Sequence, residues 1–320
     1  MSLKITGIGH YLPPKVETAK ELSDKINKSE NWIISRTGVK ERRVSLIDVD
    51  LMAANAASVA IGGEGSPDLI LNASGVGKQI IPDTSVFIQR ELNMSGVPSF
   101  SIHATCLSFL VALKVANDFL SSGSYKRILI VSSDRGTVGR NFNEPESSSL
   151  LGDGAAAVIV ENDPKDKSML IDWRFETWPE GAEFTQVKGG GTNLHPDNPK
   201  TNSADNYFSM SGPRVYRMAR KKVHSMIKDI LASNNTSLDE VDMVVPHQAS
   251  YFAVQAYASY GGFDESKVVN VIEEMGNCVA ASLPLALAVS IEREKIKRGM
   301  KVLLVGTGAG LSNAAALIKY

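Results

Sequence analysis

Residues 98–120, PSFSIHATCLSFLVALKVANDFL, combine a short apolar strand with a helix that is apolar on almost every side. Such a helix must be surrounded by other elements, so we expect it at the centre of the molecule. Elsewhere, runs rich in Ile, Val and Leu alternate with helical stretches, which indicates α/β layers. The predicted strands are residues 4–8, 68–71, 98–102, 127–132, 155–160, 243–245, 267–271, 301–305 and 314–318, and the predicted helices are residues 52–60, 85–92, 107–120, 213–231, 251–260 and 280–297.

The chain also contains a weak internal repeat. Asp68-Leu-Ile-Leu lies 58 residues before Lys126-Arg-Ile-Leu-Ile-Val, and Asp242-Met-Val-Val lies 59 residues before Lys301-Val-Leu-Leu-Val. In each half, the second of these strands leads through a Gly-containing loop into an Ala-rich strand. The spacing predicts a duplicated α/β unit, with residues 1–165 as one half and residues 166–320 as the other.

Composition limits the class of protein. The 320 residues are 43 % hydrophobic and 22 % charged, which is typical of globular chains and excludes disordered, collagen-like and disulfide-scaffold proteins. With 34 basic and 35 acidic residues, the net charge of −1 offers no general attraction to nucleic acid or anionic lipid. We therefore expect neither as a partner.

Other patterns concern the compartment and the metal content. The start of the chain lacks a long apolar segment, and the longest nearly apolar run, residues 279–291, is too short to span a bilayer. Two cysteines and no CxxC or HxxxH pair predict neither a disulfide framework nor a metal site. These patterns favour a protein of the reducing cytoplasm.

Cys106 is the candidate nucleophile. It lies where the strand at residues 98–102 passes through His103-Ala-Thr into the helix that begins at Leu107. Backbone N–H groups and the positive end of the helix dipole at that junction favour the thiolate, so we expect a thiol pKa below about 8.5. An inert cysteine of the core is the alternative interpretation of this residue alone.

Two residues of the second half strengthen the candidate. His247 follows the predicted strand at residues 243–245, and Asn277 follows the predicted strand at residues 267–271. Open α/β sheets place their sites beyond the carboxyl ends of strands, so a cysteine, a histidine and an asparagine could converge there. The three together are better evidence for a site than any one of them.

These residues carry a family resemblance. Ala104-Thr-Cys106, Val245-Pro-His247-Gln-Ala249 and Gly276-Asn277 resemble the Cys-His-Asn triad of the thiolase-fold condensing enzymes, specifically the ketoacyl-ACP synthase III family. The likeness covers the whole chain and includes the residues from Gly7 to Pro13, Trp32 to Arg42, Gly152 to Ala155 and Gly306 to Leu311. It implies a duplicated five-layer α-β-α-β-α fold and a homodimer.

The resemblance also implies a reaction. Cys106 would take an acyl group from acyl-CoA, with the backbone N–H groups of Cys106 and Ala309 holding the oxyanion. His247 and Asn277 would then stabilise the enolate that forms when malonyl-ACP, the acyl carrier protein thioester, loses carbon dioxide. Acyl-CoA and malonyl-ACP are substrates, so no cofactor and no metal ion is implied.

Substrate contacts are carried over in the same way. Trp32 and Arg36 resemble the family's residues at the CoA entrance, where the indole stacks on adenine. Arg214 and Arg217 begin a basic helical stripe that continues with Arg220 and Lys221 and that could attract acidic carrier protein. A solvated helix face is the alternative interpretation of this stripe.

The sequence departs from the family pattern in several places. Pro145 stands where the family usually has the arginine that covers the other face of adenine. Further departures are Thr105, Leu107 and Ser108 around the nucleophile, Ala309 in the usual Gly-Gly-Gly turn, Ser250-Tyr-Phe252 where a basic residue is common, and a shortened segment at residues 60–67. They suggest a specialised paralogue with a primer other than acetyl.

Three other functions stay open at this point. An acyltransferase of the same fold would pass the acyl group from Cys106 to an alcohol, amine or carrier. A papain-like hydrolase would use the same three residue types, although the chain lacks the Cys-Gly-Ser-Cys-Trp motif. A subunit that only binds carrier protein would never be acylated.

The long polar segment from Lys188 to Asn206 is either a functional lid or a mobile loop.

Overall fold

The computed structural model describes residues 3–320. The strands are β1 (Lys4–Tyr11), β2 (Val16–Thr18), β3 (Glu41–Arg43), β4 (Leu69–Asn72), β5 (Ser99–Ser101), β6 (Arg127–Arg135), β7 (Asp153–Glu161), β8 (Met169–Thr177), β9 (Thr185–Gln186), β10 (Ser209–Met210), β11 (Met243–Pro246), β12 (Lys301–Gly308) and β13 (Ser312–Lys319). The α-helices are α1 (Ala19–Ile26), α2 (Glu30–Thr37), α3 (Val49–Ile61), α4 (Thr84–Glu91), α5 (Ser108–Ser122), α6 (Pro145–Ser148), α7 (Gly212–Ser233), α8 (Tyr251–Ser259), α9 (Ile272–Met275) and α10 (Ser282–Glu292).

Two sheets form the framework, and four strands of the first (β1, β7, β6 and β4) correspond in order to the four of the second (β8, β13, β12 and β11). The first has the order β1-β7-β6-β4-β5, in which β4 pairs in parallel with β5 and β6 while β7 is antiparallel to β6 and β1. The second has the order β11-β12-β13-β8, with β11 parallel to β12 and β13 antiparallel to β12 and β8. The repeat in the sequence therefore corresponds to two sheets of matching topology.

An aspartate ties the same two strands together in each sheet. The Asp68 carboxylate accepts hydrogen bonds from the N–H groups of Lys126 at 2.8 Å and Arg127 at 3.1 Å. The Asp242 carboxylate accepts one from the N–H of Lys301 at 2.7 Å. Each aspartate thus pins the start of one parallel strand to the start of its neighbour, which explains the nearly equal spacing of the two motifs.

The helices complete five layers. Helix α5 packs against β6 of the first sheet and against β8 and β13 of the second, and α10 packs against β1 and β7 on one side and β11 on the other. Helix α3 covers the outer face of the first sheet, and α7 covers the outer face of the second. The apolar sequence of α5 is therefore explained, because sheets bury it on both sides, as the sequence predicts.

The structure corrects several predicted elements. Residues 267–271 do not form a strand: they make one isolated bridge, between Val244 and Val268, after a 3₁₀ turn. Asn277 consequently follows the short helix α9 rather than a strand. Strand β8 was missed because its apolar residues alternate with charged ones at the edge of its sheet, and helices α1 and α2 were also missed. The predicted helix at residues 280–297 is confined to Ser282–Glu292.

The polar segment at residues 188–206 lies between the paired strands β9 and β10. Its two ends are joined by a hydrogen bond from the Gly189 N–H to the Asp205 carbonyl at 2.7 Å, and most of its residues are exposed. Elsewhere in residues 3–320, no helix has both the length and the apolar composition that crossing a bilayer requires. The division of the chain at residues 165/166 stays a prediction, although the strands of the first sheet end at Glu161 and those of the second begin at Met169.

Candidate active site

Cys106 lies in a tight turn between β5 and α5. Thr105, directly before it, has a φ of 53°, a left-handed conformation that is unusual for a β-branched residue. Ser108 stabilises the turn, because its Oγ accepts a hydrogen bond from the Ala104 N–H at 3.0 Å and donates one to the Thr105 carbonyl at 2.7 Å. Ser108, a departure from the family pattern, thus fixes the backbone at the nucleophile.

The turn between β12 and β13 closes over this cysteine from the other half of the chain. Gly308 lies so close to Thr105 that a Cβ on it would be 2.6 Å from the Thr105 Oγ1. Two backbone N–H groups, that of Cys106 itself and that of Ala309, favour the Cys106 thiolate and so lower the pKa of the thiol. The two groups predicted to form an oxyanion hole therefore point at the same atom.

The expected activation of the resting thiol is wrong. Burial raises the pKa of Cys106 to about 12, and the negative charge of Asp134 adds to the increase. The hydrogen bonds from Ala309 and Cys106 lower this pKa, but by less. The helix dipole favours the thiolate at this junction, but the loss of hydration of the sulfur has the larger effect on the pKa.

His247 lies at the carboxyl end of β11 and is 5 % exposed. Its backbone N–H donates to the Val305 carbonyl at 2.8 Å, which continues the pairing of β11 with β12. Burial lowers the pKa of the imidazole to about 4, so the side chain is neutral at neutral pH. Its Nδ1 is buried and makes no hydrogen bond to any residue in the described range 3–320.

Asn277 is fixed by its own carboxamide and backbone. Its Oδ1 accepts hydrogen bonds from the Val279 N–H at 2.9 Å and the Ser282 Oγ at 3.2 Å. Its Nδ2 makes a long contact of 3.4 Å to the Ala249 carbonyl, and Ala249 follows His247 by two residues. Because the Oδ1 is already hydrogen-bonded within the protein, the Nδ2 is the atom of this carboxamide that can donate to a ligand.

A glycine allows the two halves to meet at these residues. A Cβ on Gly306 of β12 would be 2.8 Å from the His247 Cβ and 3.1 Å from the Leu107 Cδ2. Leu107 directly follows the nucleophile, so β12 at Gly306 lies between His247 and the residue next to Cys106. The structure thus brings Cys106, Ala309 and His247 together, and the Ala249 contact connects Asn277 to the same group.

The predicted entrance residues lie on one helix near the surface. Trp32 and Arg36 are on α2, the indole half-buried with the Lys28 Nζ 5.5 Å from its ring centroid, and the Arg36 side chain exposed. Gly38, which ends α2, lies against Tyr251 at the start of α8, so α2 is next to the segment that follows His247. Helix α2 also packs against α6, which begins with Pro145.

The basic stripe lies on α7, the helix that covers the second sheet. Arg214 and Arg217 are exposed near its amino end, and the Arg214 guanidinium lies 4.0 Å from the centroid of the Phe184 ring. Neither arginine is in contact with Cys106, His247 or Asn277 in the structure's hydrogen bonds or ion pairs. The stripe therefore lies on the exposed surface of α7.

One residue of the site region was missed by the sequence analysis. Asp134, near the end of β6, is completely buried and accepts hydrogen bonds from backbone N–H groups on two separate loops. The signal that could have found it is the polar run Ser132-Ser133-Asp134 at the end of an otherwise apolar strand. Within residues 3–320, no three His, Cys, Asp or Glu side chains are grouped as metal ligands.

Comparisons with known proteins identify the family of this chain. Residues 100–178 match the family model for 3-oxoacyl-(acyl-carrier-protein) synthase III, and residues 231–320 match the model for its C-terminal part. The chain is 32 % identical to the beta-ketoacyl-(acyl-carrier-protein) synthase III of Rickettsia bellii and 33 % identical to that of Aquifex aeolicus, with 100 % of each chain covered.

The fold agrees as well. The crystal structure of 3-oxoacyl-(acyl-carrier-protein) synthase III from Aquifex aeolicus superposes with a TM-score of 0.91 and 30 % identity, again over 100 % of both chains. The five layers described above are thus the thiolase-like architecture that the resemblance implies. The full-length identity and the matched family models show that this chain belongs to the 3-oxoacyl-(acyl-carrier-protein) synthase III family.

Proposed function

We propose that the protein condenses an acyl-CoA primer with malonyl-ACP in two steps, without a cofactor. The observation that carries the proposal is that two backbone N–H groups, those of Cys106 and Ala309, act on one half-buried thiol. Donors in that position can hold the oxyanion of a tetrahedral intermediate, which is the need of any acyl transfer through cysteine. The family relationship supplies the substrate class.

In the first step, the Cys106 sulfur attacks the thioester carbonyl of the primer. The carbonyl oxygen becomes an oxyanion between the two N–H groups, the carbon–sulfur bond to CoA breaks, and CoA leaves as the thiol. Because the resting thiol has a raised pKa, its proton must leave as the new bond forms, and it ends on the sulfur of the departing CoA. The acyl-enzyme that results carries no charge on sulfur.

In the second step, the malonyl group loses carbon dioxide, and the electron pair of the broken bond forms an enolate. A neutral His247 and the Nδ2 of Asn277 can each donate a hydrogen bond to the enolate oxygen, and burial keeps the imidazole neutral. The enolate carbon then attacks the acyl carbonyl, and Cys106 leaves with the electrons of the carbon–sulfur bond as a thiolate, which takes up a proton from water to restore the thiol. The product is a ketoacyl-ACP.

Intact-protein mass spectrometry tests this sequence of steps. Wild type and Cys106→Ala would be incubated with acyl-CoA thioesters from acetyl to dodecanoyl, and malonyl-ACP would be added afterwards. We expect a mass increase in wild type only, with the chain length of the best donor identifying the primer. Malonyl-ACP should remove that mass and yield ketoacyl-ACP. A persistent acyl-enzyme would instead support an acyltransferase with another acceptor, and no acylation would contradict a CoA primer.

We also propose roles for the two exposed helices. Trp32 and Arg36 on α2 would hold the nucleotide end of CoA, since α2 adjoins the segment that follows His247. Arg214 and Arg217 on α7 would attract the acidic carrier protein. The variant Arg217→Glu should therefore raise the KM for malonyl-ACP and leave the extent of acylation by acyl-CoA unchanged.

A homodimer is proposed from the free edge of the first sheet. Strand β5 ends that sheet, and its backbone has no neighbour on one side within residues 3–320. Unpaired edges are prone to pair with a second chain. Strand β5, helix α4 and the loop between β4 and α4 adjoin one another, and all three carry large apolar side chains that are exposed. These side chains are Val76, Ile80, Ile81, Val86 and Phe100.

Sedimentation equilibrium tests the dimer. The variant Phe100→Glu should yield monomers or weaken association by at least tenfold, because it places charge on the edge strand. Leu46→Glu is the matched control, since Leu46 is 79 % exposed on the loop before α3. A wild-type monomer at micromolar concentration would contradict the proposal.

The cytoplasm is the proposed compartment, supported by the two free cysteines and by the thioester substrates.

A further inference from the structure

Asp134 joins two loops that flank the candidate active site. It is completely buried near the end of β6, and its carboxylate accepts hydrogen bonds from the N–H groups of Gly75 at 2.9 Å and Val76 at 2.8 Å. The same carboxylate accepts a third from the N–H of Ala281 at 3.2 Å. Gly75 and Val76 in the first half lie at least 205 residues before Ala281 in the second half, and one side chain binds all three.

The first loop is part of the nucleophile's surroundings. The Gly75 carbonyl lies 3.0 Å from the Nε2 of His103, which is three residues before Cys106. Gly75 also lies against the second loop, because a Cβ on it would be 2.5 Å from the Val279 Cγ1. Asp134 therefore closes a compact junction in which both loops touch each other as well as the carboxylate.

The second loop orients Asn277. The Val279 N–H and the Ser282 Oγ hold the Asn277 Oδ1, and Ala281 lies between these two donors in sequence. Val279 has a φ of 51°, which is strained for a β-branched residue and needs outside support to persist. The bond from Ala281 to Asp134 supplies such support two residues after the strained one.

The negative charge of Asp134 does not help the nucleophile. It raises the pKa of the Cys106 thiol and so opposes formation of the thiolate. Any benefit of this carboxylate to the reaction must therefore lie in a step other than ionisation of the thiol. The hydrogen bonds connect it to the loop of Asn277, which belongs to the second step of the proposed reaction.

We propose that Asp134 is a positioning residue for the condensation step, acting through Asn277 by fixing the turn at residues 279–281. The inference rests on the proposed function and adds to it a residue that touches no substrate. The carboxylate can accept three or more N–H donors at once, whereas a carboxamide has one acceptor oxygen and would present N–H groups to N–H groups. Asp134→Asn should consequently release the turn.

The test separates the two steps in one variant. In Asp134→Asn we expect acylation of Cys106 by acyl-CoA to the wild-type extent, and faster alkylation of Cys106 by iodoacetamide because the nearby charge is gone. We expect kcat for condensation to fall by about 100-fold, the loss associated with misplacement of a catalytic group by about 1 Å. The control is Ser132→Ala on the same strand, whose buried hydroxyl donates to the Ala73 carbonyl and does not contact the turn.

A double-mutant cycle shows whether Asp134 acts through Asn277. In the Asn277→Ala background, Asp134→Asn should cost less than about threefold in condensation, because the group it positions is already gone. An equal cost in both backgrounds would overturn the proposal. So would wild-type condensation by Asp134→Asn.

A further variant covers the case in which Asp134→Asn does not fold. Asp134→Glu keeps the charge and moves the carboxylate, so condensation should fall while alkylation of Cys106 stays at the wild-type rate. Failure of both variants to fold would make Asp134 a purely structural residue and would overturn the proposal. If wild type itself forms no ketoacyl-ACP, the proposed function fails, and that result is distinct from every outcome above.

Discussion

Gly306 on β12 is in direct contact with His247. A Cβ on this glycine would be 2.8 Å from the His247 Cβ and 3.1 Å from the Leu107 Cδ2, so the second half of the chain reaches the nucleophile only because no side chain intervenes. Both distances are too short for ordinary van der Waals contact. The position of the histidine relative to the cysteine thus depends on this residue.

We predict that Gly306→Ala displaces His247 and slows condensation more than acylation. The added methyl group should also lower the free energy of unfolding by about 1–3 kcal/mol, the usual cost of overpacking. Single-turnover measurement of the two steps checks the first effect, and denaturant unfolding checks the second. Gly63→Ala is the control, because a Cβ at Gly63 would meet no heavy atom within 4 Å. Equal slowing of both steps would contradict the prediction.

The second prediction concerns the reactivity of Cys106 without substrate. With a thiol pKa of about 12, only on the order of 1 in 100,000 molecules carries the thiolate at pH 7. The rate of alkylation by iodoacetamide should therefore rise about tenfold per pH unit from pH 7 to pH 10. The experiment uses Cys278→Ser, which removes the other cysteine. A plateau below pH 9 would show that the thiol ionises more easily than its burial implies.

The third prediction is that His247 titrates near pH 4. Burial lowers its pKa from 6.5, so the folded protein resists protonation of this ring. Histidine-labelled NMR spectra recorded between pH 3.5 and 8 should show a signal with this midpoint, and the spectrum of His247→Gln should lack it. A midpoint near 6.5 would mean that solvent reaches the ring, and a charged imidazole would then be present at mildly acidic pH.

The same shift predicts a pH dependence of stability. The unfolded chain binds a proton at His247 below pH 6.5, whereas the folded protein binds it only near pH 4. The contribution of His247 to the free energy of unfolding is therefore complete above pH 6.5 and is lost as the pH falls toward 4. The loss amounts to about 3 kcal/mol over this window. Asp134 has the opposite effect, because burial raises its pKa from 3.8 to about 6. Its contribution to the free energy of unfolding therefore falls as the pH rises from 3.8 to 6. Comparing unfolding free energies of wild type and His247→Gln at each pH isolates the histidine.

The fourth prediction concerns Trp32. If its indole stacks on the CoA adenine, Trp32→Ala should raise the KM for acyl-CoA about tenfold without changing kcat, because the contact is equally strong in the ground state and the transition state. Trp32→Phe keeps an aromatic face and should restore most of the affinity. Steady-state kinetics with saturating malonyl-ACP checks both variants. An unchanged KM in Trp32→Ala would assign the indole to packing of α2 instead.

Much of the fold could be predicted because its signals are local. The apolar sequence of α5 predicts its central place, and the repeated aspartate-led strands predict two matching sheets, since each Asp binds the start of the neighbouring strand. The segment at residues 267–271 misled the prediction, because its Val-rich composition is that of a strand while its backbone bonds to β11 at a single bridge. Strand β8 was missed for the opposite reason, because its apolar residues alternate with polar ones and none of its nine residues is fully buried at the sheet edge.

The same distinction between local sequence signals and tertiary contacts applies to the candidate site. The amino-acid sequence by itself determined the residue types Cys106, His247 and Asn277, their positions after buried elements and the family to which they belong, because motif chemistry and spacing are written in the chain. The tertiary structure decided the electrostatics. Whether the thiol loses its water, whether the imidazole stays neutral and whether Asp134 reaches two loops at once all depend on what packs around each group, and those neighbours come from residues far away in sequence.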